Sequence, residues 1–312
     1  MSNTVEISVV VPVYGCNSCL PSLCKRIEST LSGVVDSYEV ILVDDASPDN
    51  SWQTIQKLAD RDPFIIKGIR LSRNFGQHYA ITAGLSYTKG NWVVVMDCDL
   101  QDQPEMISLF YKTAKNGYDV VVGIRKNRND PLFKKMMSRF FYKIYGHLTG
   151  THIKNDIGNF GIYSKKVIEN VSRFKEQNRS FGLFVLWLGF SRTEIEIVHS
   201  KRSSGKSTYT LNKMLQLAFD SIIAHSNKPL KYTVQLGFLL SFFSILYAVW
   251  LLVRNLLWKT PIAGWASTMV SMYFLSGLII GSIGMLGLYI GKIFDETKRR
   301  PLFIIDKTTF GE

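Results

Sequence analysis

Cysteine is scarce, with four in 312 residues, at positions 16, 19, 24 and 98. That excludes a disulfide-stapled scaffold. Cys16-x-x-Cys19 has no second Cys or His pair at ligand spacing to complete a zinc site, so the four read as thiols of a reducing compartment. The N-terminal MSNTVEISVVVPVYG carries no basic segment ahead of its apolar run. It therefore does not read as a secretory signal, and the first part of the chain is expected in the cytosol. Asn170-Val171-Ser172 and Asn178-Arg179-Ser180 match a glycosylation pattern that a cytosolic domain does not use. No G-x-G-x-x-G follows the first apolar segment, where Pro12 and Tyr14 stand instead, so the nicotinamide-binding fingerprint is missing. Ser204-Gly205-Lys206-Ser207-Thr208 imitates the end of a phosphate-binding P-loop, but the first glycine of that motif falls on Ser200. A chain 46% hydrophobic and 20% charged is neither disordered nor collagen-like. Its length allows one large domain, or one domain with an appendage.

Acidic residues are scarce in the middle of the chain. The formal net charge is +12. Residues 1–124 hold 10 Lys/Arg against 14 Asp/Glu, residues 125–230 hold 19 against 7, and residues 231–312 hold 8 against 4. The sign changes near Arg125, which predicts a change of task there. An anionic partner of the basic part is nucleic acid, a membrane surface or a phosphorylated substrate.

Charge is missing altogether from two long stretches. The 22 residues between Lys231 and Arg254, and the 32 between Lys259 and Lys292, contain none. About 20 apolar residues cross the hydrocarbon core of a bilayer, so both are predicted to span it as a helical hairpin. Lys228 and Lys231 precede the first span; Lys292, Lys298, Arg299 and Arg300 follow the second. The positive-inside rule puts these flanks in the cytoplasm, with Arg254 and Lys259 as a weak counter-signal in the outer link. Gly277, Gly281, Gly284, Gly287 and Gly291 form a smooth face on the second span, for packing on the first span or on another copy of the chain.

The first part is rich in β-branched runs. ISVVVPVY, EVILVDD, FIIKGIRL, WVVVMDCD and YDVVVGIR read as strands buried on both faces. Stretches of helical length, 18–31, 51–61, 76–89 and 104–116, alternate with them. This predicts an α/β fold: a mostly parallel, Rossmann-like sheet with helices on both faces. Ligands of such sheets bind beyond the carboxyl ends of the strands. There the sequence places Asp44-Asp45 and Asp97-Cys98-Asp99, followed by Gln101. Alternate residues of an extended stretch face the same way, so Asp97 and Asp99 can share one hard divalent cation completed by substrate phosphates. The alternative is that they cap the helix beginning near Pro104.

Taken in order, VVVPVY, VDDASPDNS, LSRNFGQHYAITAGL, VMDCDLQDQPE, the strand ending at Arg125, HSKRSSGKSTY and the two spans resemble the polyprenol-phosphate glycosyltransferases. These are inverting family 2 enzymes with a GT-A domain, a group that includes dolichol-phosphate mannose synthase and undecaprenyl-phosphate glycosyltransferases. The resemblance covers nearly the whole chain. It implies that Pro12, Tyr14, Asp44 and Asp45 hold the base and ribose of a nucleotide sugar, with a UDP-sugar as the default. Asp97 and Asp99 match the motif that joins metal to diphosphate, and Gln101 a further metal-side position; the cation is Mg2+ or Mn2+. Arg125 and Arg202 match arginines on the phosphates. Arg73-Asn74-Phe75-Gly76 matches a motif near the active site with no role assigned to it. The chain also departs from the pattern. Gly15-Cys16-Asn17 replaces Asn-Glu-Glu, Thr208 stands where a Lys is expected, with Lys206 as its substitute, and Asn159 stands where many relatives have the Asp called the base. Asp156 is the nearby candidate for an orienting or basic role; its alternative is a turn residue.

A lipid monophosphate has a second pKa of about 6, so its oxygen is already nucleophilic at neutral pH. The enzyme's main tasks are then to stabilise the leaving diphosphate and align the reactants. Residues 131–148 interleave Lys134, Lys135, Arg139 and Lys143 with Phe133, Met136, Met137, Phe140, Phe141 and Ile144, the composition of a helix lying on an anionic leaflet. Residues 211–225 offer a second such helix. The alternative for each is a core-facing amphipathic helix. The expected organisation is residues 1–130 for nucleotide sugar and metal, 131–229 for the acceptor, 230–292 for the hairpin and 293–312 as a cytoplasmic tail. The expected partners are a nucleotide sugar, undecaprenyl phosphate and membrane lipid, with no nucleic acid; the glycine face leaves room for a homo-oligomer. The expected location is the bacterial inner membrane, with the catalytic part and both termini cytoplasmic. A processive polysaccharide synthase predicts a Gln-x-x-Arg-Trp motif that the sequence does not contain. A silent scaffold or lipid-flipping partner predicts that Asp97 and Asp99 are dispensable.

Overall fold

The computed structural model describes residues 5–125, 157–197, 226–258 and 264–311, with Gly146 and Ile223. The chain divides into two compact units: residues 1–132, 154–207 and 300–312 form one, and residues 133–153 and 208–299 the other.

The first unit is built from the β-branched runs. β1 (Ile7–Val13), β2 (Tyr38–Asp44), β3 (Ile66–Leu71), β4 (Trp92–Val95) and β5 (Val120–Arg125) alternate with α1 (Leu20–Leu31), α2 (Ser51–Arg61), α3 (Gln77–Leu85) and α4 (Met106–Ala114). The order of strands and helices is the one expected from the sequence. β6 (Ile157–Ser164), α5 (Lys165–Ser172), α6 (Phe181–Leu188) and β7 (Arg192–Ile197) complete the middle of the chain. The eight-stranded sheet also includes β8 (Ile305–Thr308), in the order β7-β5-β6-β4-β1-β2-β3-β8. β6 and β8 pair antiparallel to their neighbours; the other strands share one direction.

Both faces are covered. Val9 and Val11 of β1 pack with Leu20, Leu23, Ile27, Ile55 and Phe110 on one face. Val10 packs with Ile41, Val43, Ala80, Ile81 and Phe184 on the other. Two layers of helix on a central sheet explain why these strands read as continuous apolar runs. On the second face α3 lies so close that a Cβ on Gly84 meets Val10 Cγ1 at 2.5 Å. At the end of the sheet opposite the strand carboxyl ends, Glu39 is buried. It accepts Ser8 Oγ–H at 2.6 Å and Lys67 Nζ–H at 2.5 Å, so its charge is paired.

β8 is a departure from the expectation of a simple tail for residues 293–312. It pairs antiparallel with β3, Ile69 opposite Thr308, and Phe310 stacks edge-on against Tyr87 at 5.4 Å. The strand covers the β3 edge, which otherwise presents unpaired backbone groups.

The second unit contains α7 (Lys228–Trp258) and α8 (Trp265–Thr297). Both are long and apolar enough to cross a membrane. Their side chains, Phe238, Phe242, Ile280 and Phe294 among them, are exposed. Tyr289 Oη–H donates to the Ser226 carbonyl at 2.6 Å. The five glycines of α8 have nothing within 4 Å of a built Cβ, so among the described residues that face packs on nothing.

Candidate active site

β1 is the point at which strand order reverses. β2 and β3 follow on one side of it and β4 lies on the other. A crevice opens beyond the strand ends at such a switch point. The loops after β1, β2 and β4 meet there with the sequence's candidate residues.

β4 ends at Val95, and the chain runs on as Met96-Asp97-Cys98-Asp99. Met96 and Cys98 are buried, whereas Asp97 and Asp99 are partly exposed. Exposure thus alternates along this stretch, with the two carboxylates on its more open side. Gln77, the first residue of α3, donates Nε2–H to Asp97 Oδ1 at 2.6 Å. The Gln101 backbone N–H donates to Asp99 Oδ1 at 3.1 Å, closing a tight turn. Leu100 inside this turn has φ of 60°, a conformation that L side chains rarely adopt. Ala46, after the second acidic strand end, has φ of 51°. Two such residues, in the loops that follow the strands on either side of β1, mark a place where the chain gives up local stability for geometry.

Asp44 and Asp45 are both buried. Asp45 Oδ1 accepts the Phe75 N–H at 2.7 Å, and Oδ2 accepts the Gly76 N–H at 2.8 Å. Gly76 sits at φ of 107°, where a side chain is strained. These contacts show what Arg73-Asn74-Phe75-Gly76 does: it ties Asp45 on one side and, through Gln77, Asp97 on the other. Asp44 Oδ1 accepts the Ser47 N–H at 3.1 Å; its Oδ2 accepts no hydrogen bond and lies 3.6 Å from Arg70 Nε. Burial pushes both carboxyls above the usual Asp range. Hydrogen bonds from Ser47 to Asp44, and from Phe75 and Gly76 to Asp45, offset part of that push.

Pro12 lies within β1 and is buried, while Tyr14 beyond the strand end is 52% exposed. The loop that follows is held by three backbone donors. Gly15 N–H reaches Ser47 Oγ at 3.1 Å, Cys16 N–H reaches Ser51 Oγ at 3.3 Å, and Asn17 N–H reaches Asp49 Oδ2 at 3.1 Å. Arg125 is the last residue of β5, whose end lies on the same edge of the sheet as that of β4. Asn159 lies in β6, two residues before Gly161, which pairs with Val95. Asp156, Arg202, Lys206 and the surface set Lys134, Lys135, Arg139 and Lys143 lie outside the described residues.

One expectation is corrected here: Cys16 and Cys98 are joined by a disulfide rather than standing as separate thiols. They are 82 residues apart in sequence, but β1 and β4 are paired neighbours, so the residues just beyond their ends come within a Cα distance of 6.3 Å. The sequence read all four cysteines as thiols because the strand order that brings Cys16 and Cys98 together is not visible in it. Gln77 was missed too. Its signal was its place directly after the Arg73–Gly76 motif.

Two carboxylates at the mouth of a crevice fit a hard divalent cation, which takes oxygen ligands and leaves positions for water and diphosphate. Among the described residues no group of three or more His, Cys, Asp or Glu is placed to hold a metal alone.

The family model for glycosyl transferase family 2 matches residues 8–172. An uncharacterised glycosyltransferase of Bacillus subtilis, YkcC, is 38% identical over 99% of this chain and 95% of its own length. The SfII prophage-derived bactoprenol glucosyl transferase of Shigella flexneri is 32% identical over 98% of this chain and 99% of its own. An undecaprenyl-phosphate 4-deoxy-4-formamido-L-arabinose transferase of Pseudomonas paraeruginosa is 32% identical, covering 96% and 89%. In fold, the chain is similar to Mycobacterium tuberculosis glucosyl-3-phosphoglycerate synthase in complex with Mn2+, UDP-glucose and phosphoglyceric acid. The TM-score is 0.51 at 16% identity, over 71% of this chain and 78% of that one. With its acidic crevice at the switch point of a mostly parallel sheet, this chain belongs to glycosyl transferase family 2 and is a glycosyltransferase.

Proposed function

We propose that the chain moves a sugar from a nucleotide sugar, a UDP-sugar by default, to undecaprenyl or a similar polyprenyl phosphate at the cytoplasmic leaflet, with inversion at the anomeric carbon. The observation that carries this reading is the pair Asp97 and Asp99, partly exposed just beyond the end of β4 beside the switch-point strand, in a chain that also contains two helices of membrane-spanning length. Relatives named for bactoprenol and undecaprenyl-phosphate transfer, similar over nearly the full chain, support the acceptor.

The residues divide the work. Tyr14 offers an exposed ring to the base, and Asp44, buried at the end of β2 beside Arg70, lies on the nucleoside side. Asp97 and Asp99 would hold Mg2+ or Mn2+, which when bound offsets the charge of the departing diphosphate. Arg125, at the end of β5, and Arg202 take the phosphates. Gln77 and Asp45 keep the crevice walls in place. The acceptor phosphate is its own nucleophile, so aligning it is the larger demand. Lys134, Lys135, Arg139 and Lys143 meet the leaflet, and the helices α7 and α8 form a hairpin with both termini cytoplasmic. On this reading residues 1–130 serve the donor and residues 131–229 the acceptor.

The test is transfer in detergent micelles from a panel of nucleotide sugars to undecaprenyl phosphate, with the lipid product identified by mass and its anomeric configuration by NMR. Asp99→Asn should lower kcat by about 10²- to 10³-fold with an unchanged melting temperature. If Asp97→Ala and Asp99→Ala both keep metal-dependent transfer, the site is elsewhere.

A further inference from the structure

We propose that Cys16 and Cys98 are a reversible dithiol–disulfide site, oxidised by low-molecular-weight disulfides, that sets how firmly the donor crevice is held. The inference rests on the donor-site reading above but concerns a modification that reading does not contain.

The placement carries it. Cys16 belongs to the loop after β1 and Cys98 to the loop after β4, the two walls of the switch-point crevice. Cys98 sits between Asp97 and Asp99 yet points the other way, into the core that Cys16 packs against. The bridge therefore lies behind the carboxylates, where it restrains them without occupying the space they face. The Cys16 wall is anchored independently by the bonds of Gly15, Cys16 and Asn17 to Ser47, Ser51 and Asp49. The disulfide extends that anchorage to the acidic loop, whose Leu100 sits in a disfavoured backbone conformation. Tying a loop in its binding geometry lowers the entropy that a ligand must otherwise overcome.

The four cysteines differ in a way that suits exchange. Cys16 is partly exposed, whereas Cys19, Cys24 and Cys98 are buried. The Cys24 thiol is pushed up to about 12 by burial, which makes it a poor nucleophile. Cys19 stands at the start of α1, its N–H on the Cys16 carbonyl at 2.9 Å. Cys16 thus meets the oxidant first. Its sulfur attacks one sulfur of R–S–S–R and expels one R–SH; the Cys98 sulfur then attacks the Cys16 sulfur of the mixed disulfide and expels the second R–SH. Two electrons pass from the protein thiols to the small disulfide, and the two thiol protons leave with the released thiols. Cytosolic disulfides are usually transient and redox-sensing, which matches a reversible pair.

The experiment uses the full chain in detergent micelles, treated with oxidised glutathione or with dithiothreitol, then alkylated and mapped by peptide mass. In parallel, binding of UDP with Mn2+ is measured by calorimetry. The expected result is a Cys16–Cys98 cross-link after oxidation, lost on reduction, with UDP bound about tenfold more tightly in the oxidised form. Cys16→Ser and Cys98→Ser should each lose the response to oxidant, with melting curves confirming that they fold. A Cys16–Cys19 cross-link, or no cross-link, overturns the pairing. A mapped bridge with equal UDP affinity in both states overturns the tuning alone. A mapped bridge with UDP binding in neither state overturns both the tuning and the UDP reading.

Discussion

Asp45 joins two loops through two oxygens. Each accepts a backbone N–H, from Phe75 and Gly76, and the carboxylate is buried. Removing a buried acceptor leaves its donors without partners at about 1–3 kcal/mol each, so Asp45→Ala should lower the urea unfolding free energy by about 2–4 kcal/mol. Asp45→Asn retains one acceptor and should lose roughly half as much. A loss under about 0.5 kcal/mol for Asp45→Ala would separate the carboxylate from the loop. His78, next to Gln77, adds a pH dependence. Burial, and then the nearby Arg179 charge, hold its imidazole below the ordinary value of 6.5. Below pH 6.5 the unfolded chain binds a proton that the folded chain refuses. Stability is therefore fully present above that pH and lost as pH falls through the depressed value. Asp44 and Asp45, with raised values, act in the opposite sense: their contribution is present below 3.8 and lost as pH rises through the raised values. Melting curves of wild type and His78→Gln across pH 5–7 should converge toward the acidic end; parallel curves would rule His78 out as the source.

β3 depends on a strand from far along the chain. β8 pairs with it, and Thr309 accepts the Gly68 N–H at 2.8 Å through Oγ1. A Cβ on Gly68 would meet Ile55 Cγ2 at 2.5 Å and Thr309 Cγ2 at 2.8 Å, so Gly68→Val is expected to cost about 1–3 kcal/mol. Deleting residues 301–312 should lower Tm by more than about 4 °C and increase aggregation, read by light scattering during the melt. An unchanged melt would show β8 to be ornamental. Why β1 to β5 were legible and β8 was not is a matter of burial. Ile-Ser-Val-Val-Val-Pro-Val of β1 is covered on both faces and written in β-branched residues. Ile-Asp-Lys-Thr of β8 is a half-exposed edge strand with polar residues, and nothing local distinguishes it from a tail. β7, Arg-Thr-Glu-Ile-Glu-Ile, likewise hides a strand in charge, as edges do. In the site, Asp97 and Asp99 were legible because alternation is local. Gln77 and the Cys16–Cys98 pair were not, because strand order alone brings them together.

The whole molecule combines an enzyme of sheet and helix with two long apolar helices, and the charge along the sequence changes sign within the sheet-bearing unit. The acidic first 124 residues contain the crevice, and the basic stretch begins at Arg125. α7 and α8 expose Phe238, Phe242, Ile280 and Phe294, surface that water does not tolerate in such extent. The full chain should accordingly stay with membranes through an alkaline carbonate wash and come off only in detergent; release by carbonate or salt alone would argue against spanning. The position of β8 in the sequence also imposes a timetable. β3 is complete once residue 71 is made, yet its neighbour begins at residue 305, after both apolar helices. At about 5–20 residues per second, β3 waits roughly 10–50 s on the ribosome with its edge open. The β3 edge is thus closed only after translation has passed both apolar helices, so a chain cut short anywhere before residue 305 carries an open-edged sheet even when every residue of the acidic crevice has been made.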